Sequence, residues 1–241
     1  YRSPFPPSRS PTPPSSFVTI WAKNAAQVDP NLSPRSRADM AGLTKAPSQL
    51  LAILAISREG GVAREEIVGH AALDDRGDQI ELGFDRSFLE GHGLHRLSID
   101  FRLYTAAISL VVGGRSRQIV PMYATIYTSN ERSRRNYRDL GALEQVALPR
   151  CMRLDKQPED LVVPGLTFSV FSPEAILAGF DRMLERLQIG RTQVGPRTVP
   201  LSIRGSEVAA PIVAERLRED VERLCRRHSS YRLRVLRAAS A

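Results

Sequence analysis

The residues in this chain that could do chemistry are arginines, gathered in two places. The first is the segment from Ser129 to Asp139, SNERSRRNYRD, which sets a tyrosine among four arginines: Arg132, Arg134, Arg135, Tyr137 and Arg138. A guanidinium group binds phosphate, and a nucleic-acid base can stack on an aromatic ring. The segment is therefore predicted to be a loop that contacts nucleic acid or another polyanion.

The second group of arginines lies near the C-terminus and comprises Arg226, Arg227, Arg232 and Arg234. These residues could bind RNA or an anionic membrane surface. A helix end with a loose tail explains them about as well, because cations are favoured at a helix C-terminus. Both interpretations stay open at this point.

Two histidines are the nearest approach to a metal site. His92 and His95 are three residues apart, but Gly91 and Gly93 beside them indicate a loop. No third ligand follows at a suitable spacing. The acidic turn at 74–81 lacks the spacing of a calcium loop. No metal site is predicted.

Motifs for catalysis or cofactor binding are absent from the sequence. The chain contains no P-loop, no Gly-x-Ser-x-Gly elbow, no His-Glu-x-x-His pair and no Gly-x-Gly-x-x-Gly after a strand. Cys151 lies beside Arg150 and Arg153, but the sequence places no histidine partner for it. We therefore predict no catalytic residues and no cofactor, and we do not expect an enzyme.

The composition is ordinary for a soluble protein apart from its charge. The 241 residues are 42% hydrophobic, and the formal net charge is +8. This excess favours polyanionic partners. Only three of the 34 basic residues are lysines, a bias that fits either phosphate chemistry or a GC-rich genome. Two distant cysteines indicate an intracellular, reducing compartment, and no apolar run is long enough to span a bilayer.

The first 16 residues are rich in proline, serine and arginine and are predicted to form a disordered arm. Proline favours the polyproline II conformation, so the arm could dock on an SH3-type or WW-type groove. The prolines that would do so are Pro6, Pro7, Pro11, Pro13 and Pro14. Residues 17–241 are predicted to form a single α+β domain, which could divide near 129–160.

The stretch from Leu97 to Thr128 is predicted to organise the fold as an antiparallel hairpin. Apolar residues recur at alternate positions on both sides of Gly113-Gly114, and paired glycines supply the positive φ angles of a tight turn. We expect the sheet of the protein to be built around this hairpin.

Local signals predict the elements that precede the hairpin. Residues 17–23 are β-branched and aromatic and predict a first strand. Residues 47–60 and 62–73 predict two helices separated by a Gly-Gly turn. An acidic turn at 74–78 then leads to a strand at 79–84.

The C-terminal third carries the clearest helix signal. A strand is predicted at 166–171, followed by a helix with Ser172 as N-cap, proline after it and Gly190 just past its end. Residues 192–203 predict an irregular strand. A last amphipathic helix is predicted from about 206 or 211 to 228.

Together these elements predict an α+β protein with a central antiparallel sheet or sandwich and helices packed against it. Three features are similar to matrix proteins of negative-strand RNA viruses: the proline-rich arm, Ile20-Trp21 in an early strand, and Met40-Ala41-Gly42 leading into Leu50 to Ile56. The resemblance implies a non-enzymatic virion protein that self-associates and binds anionic membrane and ribonucleoprotein.

The predicted function is therefore structural, with homo-oligomers formed through exposed β-edges and polyanions bound by the arginines. One alternative is a subunit of an organellar or viral ribonucleoprotein. The other alternative is a small-molecule enzyme or ligand-binding domain, with a pocket between sheet and helices near His92, His95 and the acidic turn.

Overall fold

The computed structural model describes residues 19–23, 37–45, 47–59, 62–89, 91–115, 120–148, 151–152, 162–163, 165–204 and 210–239. A mixed but mostly antiparallel sheet lies at its centre, with helices packed on both faces. The expected α+β class is confirmed. The proline-rich arm lies outside the described residues.

The central sheet has six strands: β1 (Gln49–Glu59), β2 (Val62–Asp75), β3 (Ile80–Ser87), β4 (Met122–Tyr127), β5 (Ala142–Leu148) and β8 (Leu166–Phe171). Their order is β1-β2-β3-β4-β8-β5, and all neighbours are antiparallel except β3 and β4. Two small antiparallel pairs stand apart from it: β6 (Cys151–Met152) with β7 (Val162–Val163), and β9 (Arg191–Val194) with β10 (Arg197–Pro200).

The helices surround this sheet. They are α1 (Arg37–Gly42), α2 (Leu94–Val112), α3 (Glu131–Asp139), α4 (Pro173–Ile189) and α5 (Pro211–Ala239), and residues 19–23 are also helical. No helix of the described residues is both long and apolar enough to cross a membrane.

Two hydrophobic clusters lie on opposite faces of the sheet. The larger packs α2, α4 and α5 on one face, which we call the helix face, and includes Leu82, Leu103 and Phe180. The smaller packs residues 19–23 and α1 against β1 and β2 on the second face. Because side chains alternate along a strand, each strand of the sheet presents residues to both faces.

The predicted hairpin at Leu97–Thr128 is wrong over its first half, which is the helix α2. This helix is buried by the sheet on one side and by α4 on the other, so its own residues are apolar on most sides. In such a helix, apolar residues also fall at alternate positions by chance and imitate the pattern of a strand. Gly113 donates its N–H to the carbonyl of Ser109 at 2.9 Å. The glycine pair therefore ends a helix, and only the last part of the stretch is a strand.

Four other predicted elements are wrong for the same kind of reason. The helices expected at 47–60 and 62–73 are strands β1 and β2, paired from Gln49 with Leu73 onward. The early strand is wrong at 19–23, which are helical. The loop expected at 129–139 contains α3, whose N-cap Asn130 accepts a hydrogen bond from the N–H of Ser133. Tertiary packing decides these weak local preferences.

Several predicted elements are confirmed. The acidic turn joins β2 to β3, and the strand at 166–171 is β8. Helix α4 has Ser172 as its N-cap, accepting from the N–H of Ala175, and Gly190 ends it with a φ of 69°. The irregular strand is the hairpin β9–β10, and α5 begins at Pro211 but continues past the predicted end to Ala239.

Candidate functional site

The parallel strands β3 and β4 meet at one end and then part. Ile80 pairs with Met122 and Glu81 with Tyr123, and no pair follows among residues 82–87 and 124–127, all of which the structure describes. On their outer sides β3 stays paired with β2 and β4 with β8. A wedge therefore opens within the sheet, which we call the gap. Main-chain groups along its edges have no strand partner across it.

A glycine turn leads into α2 at the wide end of the gap. After β3 ends at Ser87, Gly91 and Gly93 both have positive φ angles, 73° and 75°. Gly93 is the N-cap of α2 and gives the first helical turn no side-chain hydrogen bond. The first-turn N–H groups and the positive end of the helix dipole can therefore bind an anion.

Tyr137 lies at the narrow end of the gap on the helix face. Its hydroxyl donates to the carbonyl of Leu82 at 3.1 Å, the first β3 residue beyond the last ladder pair. It accepts from Arg102 Nη2 at 3.0 Å. Burial raises the pKa of Tyr137 to about 12, although Arg102 opposes that effect. At neutral pH the side chain is therefore a protonated hydroxyl group.

Glu81 lies at the same end of the gap on the second face, because alternation turns its side chain away from that of Leu82. Arg76 Nη2 lies 2.9 Å from Glu81 Oε2, and the hydroxyl of Thr125 on β4 donates to Oε1. Arg76 is half exposed, so this carboxylate lies at the edge of solvent. A carboxylate and a hydroxyl thus flank the narrow end from opposite faces.

The predicted polyanion-binding segment is mostly engaged in internal ion pairs. Arg134 forms two hydrogen bonds of 2.9 Å with the carboxylate of Glu144, which raise the pKa of Arg134. Arg138 Nη2 lies 2.6 Å from Glu131 Oε1. Tyr137 is 3% exposed and cannot stack on a base from solvent. Two further arginines of the segment lie exposed on α3: Arg132 and Arg135.

The other predicted binding residues are scattered. Arg226 and Arg227 are exposed on α5, and Arg226 pairs with Glu222 at 3.1 Å. Arg232 and Arg234 lie in the helical backbone of α5, but their side chains are outside the description. Polyanion binding by these sets stays a prediction. The arm prolines also fall outside the described residues: Pro6, Pro7, Pro11, Pro13 and Pro14.

His92 and His95 both lie near the wide end of the gap. The carbonyl of His92 accepts from Gly195 N–H at 3.1 Å, and His95 Nε2 lies 3.1 Å from Asp85 Oδ2. No three His, Cys, Asp or Glu residues of the described part converge as a metal site. The pocket alternative, placed near these histidines and the acidic turn, coincides with the two ends of the gap.

Several solved structures that are similar to this chain are acetyltransferases. No family model matches the chain, and no curated protein matches its sequence. Among solved structures, NAA60 of Arabidopsis thaliana in complex with a bisubstrate analogue has a TM-score of 0.47 at 11% identity, covering 66% of this chain and 94% of that chain.

Two further structures extend the comparison. A spermidine N-acetyltransferase SpeG chimera, from Vibrio cholerae and hSSAT, has a TM-score of 0.45 at 11% identity and covers 68% of this chain and 94% of that one. YncA from Salmonella typhimurium with its cofactor acetyl-CoA has a TM-score of 0.41 at 16% identity, with 65% and 86% covered. At these scores the function has to be argued from the chain's own residues.

These findings contradict the resemblance to viral matrix proteins, since the similar structures belong to acetyltransferases. The early strand on which the resemblance partly rested is helical at Ile20-Trp21. The expectations of a non-enzymatic structural protein, of a virion component and of RNA, membrane or homo-oligomer partners in a matrix role are wrong by the same comparison. That leaves the alternative of an enzyme or ligand-binding domain.

The sequence contains one signal for the anion-binding end of the gap. Gly91-x-Gly93 follows the correctly predicted strand β3 and precedes a helix, which is the order of an anion-binding turn. A hairpin predicted from Leu97 to Thr128 leaves no helix after Gly93, so this signal goes unrecognised in the sequence. Glu81 and Arg102 carried no motif, and only the folded chain brings them to the gap.

Proposed function

We propose that this chain transfers an acyl group from a coenzyme A thioester to an amine. The observation that carries the proposal is the gap between β3 and β4. An anion-binding helix end lies at its wide end, and the Glu81 carboxylate and the Tyr137 hydroxyl flank its narrow end. A coenzyme A thioester supplies an activated acyl group at the end of a long arm that begins at a diphosphate.

The two ends of the gap fit the two ends of such a donor. The first-turn N–H groups of α2 would hold the diphosphate, where no side chain competes. No other atom lies within 4 Å of where a Cβ would stand on Gly91 or Gly93, so the turn is open to a ligand. The unpaired edges of β3 and β4 would hold the amide groups of the arm, as they would an added strand.

Glu81 and Tyr137 supply the two proton transfers that acyl transfer to an amine requires. Glu81, on the second face, accepts a proton from the attacking amine at its carboxylate oxygen. Tyr137, on the helix face, holds its proton at neutral pH and donates it from Oη to the departing sulfur. Because base and acid lie on opposite faces, the entering amine is kept apart from the leaving thiol.

The acceptor amine is proposed to enter on the second face. Asp74 lies opposite Glu81 in the β2–β3 ladder, so two carboxylates share this face with Arg76 between them. On β4, Tyr123 alternates onto the same face, and its ring centre lies 6.2 Å from that of Phe168. Carboxylates beside aromatic rings favour a cationic acceptor such as a primary amine.

Thiol release from acetyl-CoA tests the proposal, with polyamines, lysine peptides and peptide N-termini as acceptors. The protein is expected to bind acetyl-CoA in calorimetry and to release free thiol only when an amine is added. Glu81→Gln is expected to keep acetyl-CoA binding and to lower the rate of thiol release by about 10²-fold to 10⁴-fold, the usual share of a general base.

Asp78→Asn is the control, because Asp78 is an exposed carboxylate in the turn just before β3 and is not one of the proposed proton-transfer groups. Its rate is expected to equal that of the unmodified chain. Failure to bind acetyl-CoA, or binding without release to any amine of the panel, would contradict the proposed function. An unchanged rate in Glu81→Gln would contradict the role of Glu81 alone.

A further inference from the structure

A buried hydrogen-bond chain runs from the exposed end of α2 to the hydroxyl of Tyr137. At its centre is Arg102, which is fully buried; its Nη2 lies 2.6 Å from Asp85 Oδ2 and 3.0 Å from Tyr137 Oη. Its other nitrogens donate to the carbonyls of Ser98 and Gly83 at 3.3 and 3.4 Å. A buried guanidinium is costly unless it is paired and hydrogen-bonded, and both conditions are met here.

The donors and acceptors fix the direction of this chain. Ionised Asp85 can only accept, so His95 Nε2, at 3.1 Å, carries the proton between them. His95 Nδ1 then accepts from Asn136 Nδ2 at 2.9 Å, and Asn136 Oδ1 accepts from Arg96 Nε at 3.0 Å. Both ring nitrogens of His95 are therefore engaged in hydrogen bonds.

Asp85 is held ionised at the far side of Arg102. Burial alone would raise its pKa, but Arg102 and His95 together lower the pKa below its ordinary value. Ser98 Oγ donates to its other oxygen at 3.0 Å. The negative charge is thereby fixed beside the guanidinium, and the guanidinium is fixed beside the oxygen of Tyr137.

We propose that Arg102, held by Asp85 and His95, is a positioning residue that enables Tyr137 to give its proton to the leaving thiol. This inference rests on the proposed acyl transfer. In that step the amine nitrogen, having lost its proton to Glu81, forms a bond to the acyl carbon. The carbon–sulfur bond breaks with both electrons on sulfur, the Oη–H bond of Tyr137 breaks, and an S–H bond forms.

The negative charge then resides on Tyr137 Oη, beside Arg102 Nη2. The hydrogen bond between them becomes charge-assisted, which strengthens it as the proton leaves. Water returns a proton to Tyr137 while the proton taken from the amine by Glu81 passes to solvent. Charge and protons balance without any oxidant or reductant.

A purely structural role does not require an arginine at this position. Buried ion pairs are often replaced by hydrophobic residues of similar volume without loss of stability. Leu103, Tyr104 and Tyr137 beside Arg102 belong to the main apolar cluster. What a hydrophobic residue cannot reproduce is a charged donor aimed at Tyr137 Oη.

A double-mutant cycle tests the inference through thiol release from acetyl-CoA. Arg102→Met is expected to lower kcat by about tenfold to a hundredfold, within the usual range for assisted proton transfer, and to leave KM for acetyl-CoA unchanged. In a Tyr137→Phe background the same substitution is expected to leave kcat unchanged, because the two residues act as one unit. Arg102→Lys, which keeps a charge and donors, is expected to recover part of the loss.

A second measurement does not depend on turnover. The pH at which the thiol of bound coenzyme A ionises, followed by thiolate absorbance, is expected to rise in Arg102→Met because a nearby positive charge is lost. Arg182→Met is the matched control. It removes an arginine that pairs with fully buried Asp100 of the same helix at 2.7 Å but touches no part of the chain to Tyr137. Both readings are expected to stay unchanged in this control.

Losses in kcat that multiply in the double variant, or an unshifted thiol ionisation, would overturn the role of Arg102 and leave the proposed function standing. An unmodified chain that fails to bind acetyl-CoA would overturn both. If circular dichroism shows that Arg102→Met does not fold, His95→Ala replaces it in the double-mutant cycle. His95 is a half-buried member of the same hydrogen-bond chain. A loss of kcat that vanishes in the Tyr137→Phe background supports the inference, and a loss that persists there contradicts it.

Discussion

Gly93 is the residue at which anion binding can be separated from folding. Its φ of 75° is tolerated by aspartate and asparagine better than by most side chains, and both are good N-caps. In Gly93→Asp, we expect the new carboxylate to accept from the first-turn N–H groups of α2 and to repel a diphosphate. Calorimetry is expected to show acetyl-CoA affinity lower by about a hundredfold, which corresponds to about 3 kcal/mol.

Gly93→Asn is the control for this substitution, because its side chain has nearly the same shape without the charge. We expect it to keep most of the affinity, with circular dichroism showing an intact helix in both variants. Equal losses in the two variants would mean that shape rather than charge matters at the turn. Full affinity in Gly93→Asp would place the anion site elsewhere.

Among single residues, the sequence-based prediction was least accurate for Tyr137. Its position among arginines was a correct observation, and the prediction that its ring is available to a base was wrong because α3 turns it into the main cluster. Helical periodicity over nine residues is too short to reveal which side faces the core. The partners that define its chemistry, Leu82 and Arg102, are 55 and 35 residues away in sequence.

At the scale of elements, the strands and helices with unambiguous ends could be predicted. The acidic turn, β3, β8 and α4 carry a turn, a cap or a strict alternation that few other structures satisfy. Helix α2 has no N-cap side chain, so its start carries no signal in the sequence. Because it is buried on most sides, its apolar residues show no clear helical periodicity. The same missing cap that concealed the helix is what leaves its N-terminus open to an anion.

The contact between α2 and α4 depends on a glycine at the crossing. A Cβ on Gly179 would stand 2.5 Å from Leu103 Cδ1 and 3.2 Å from its Cβ, and Leu103 is fully buried. Gly179→Ala is therefore expected to lower the free energy of unfolding by about 1–3 kcal/mol through overpacking, despite the better helix propensity of alanine. Urea denaturation measures the change. Gln188→Ala, on the exposed side of α4, is expected to have almost no effect, and a stabilised Gly179→Ala would show that the helices can separate without cost.

For the whole molecule, the net charge of +8 gave a misleading indication of partners. Several arginines serve internal pairs: Arg102 with Asp85, Arg182 and Arg186 with Asp100, Arg134 with Glu144, and Arg218 with Asp181. A guanidinium suits such sites because it donates several hydrogen bonds in a fixed plane. Composition counts these buried and paired groups together with the exposed ones, so it cannot distinguish a binding surface from a scaffold.

The expectation that residues 17–241 form one domain remains a prediction, and the two clusters make it testable. The main cluster joins the sheet to α2, α4 and α5, while the only tryptophan, Trp21, packs against the smaller cluster on the second face. Both clusters share β2, through Leu73 and Ala72, so unfolding of one removes the support of the other. We expect tryptophan fluorescence and far-ultraviolet circular dichroism to report one coincident urea transition. An earlier fluorescence transition would show instead that the N-terminal helical segments unfold as a separate unit, leaving the gap and its residues on a domain that does not need them.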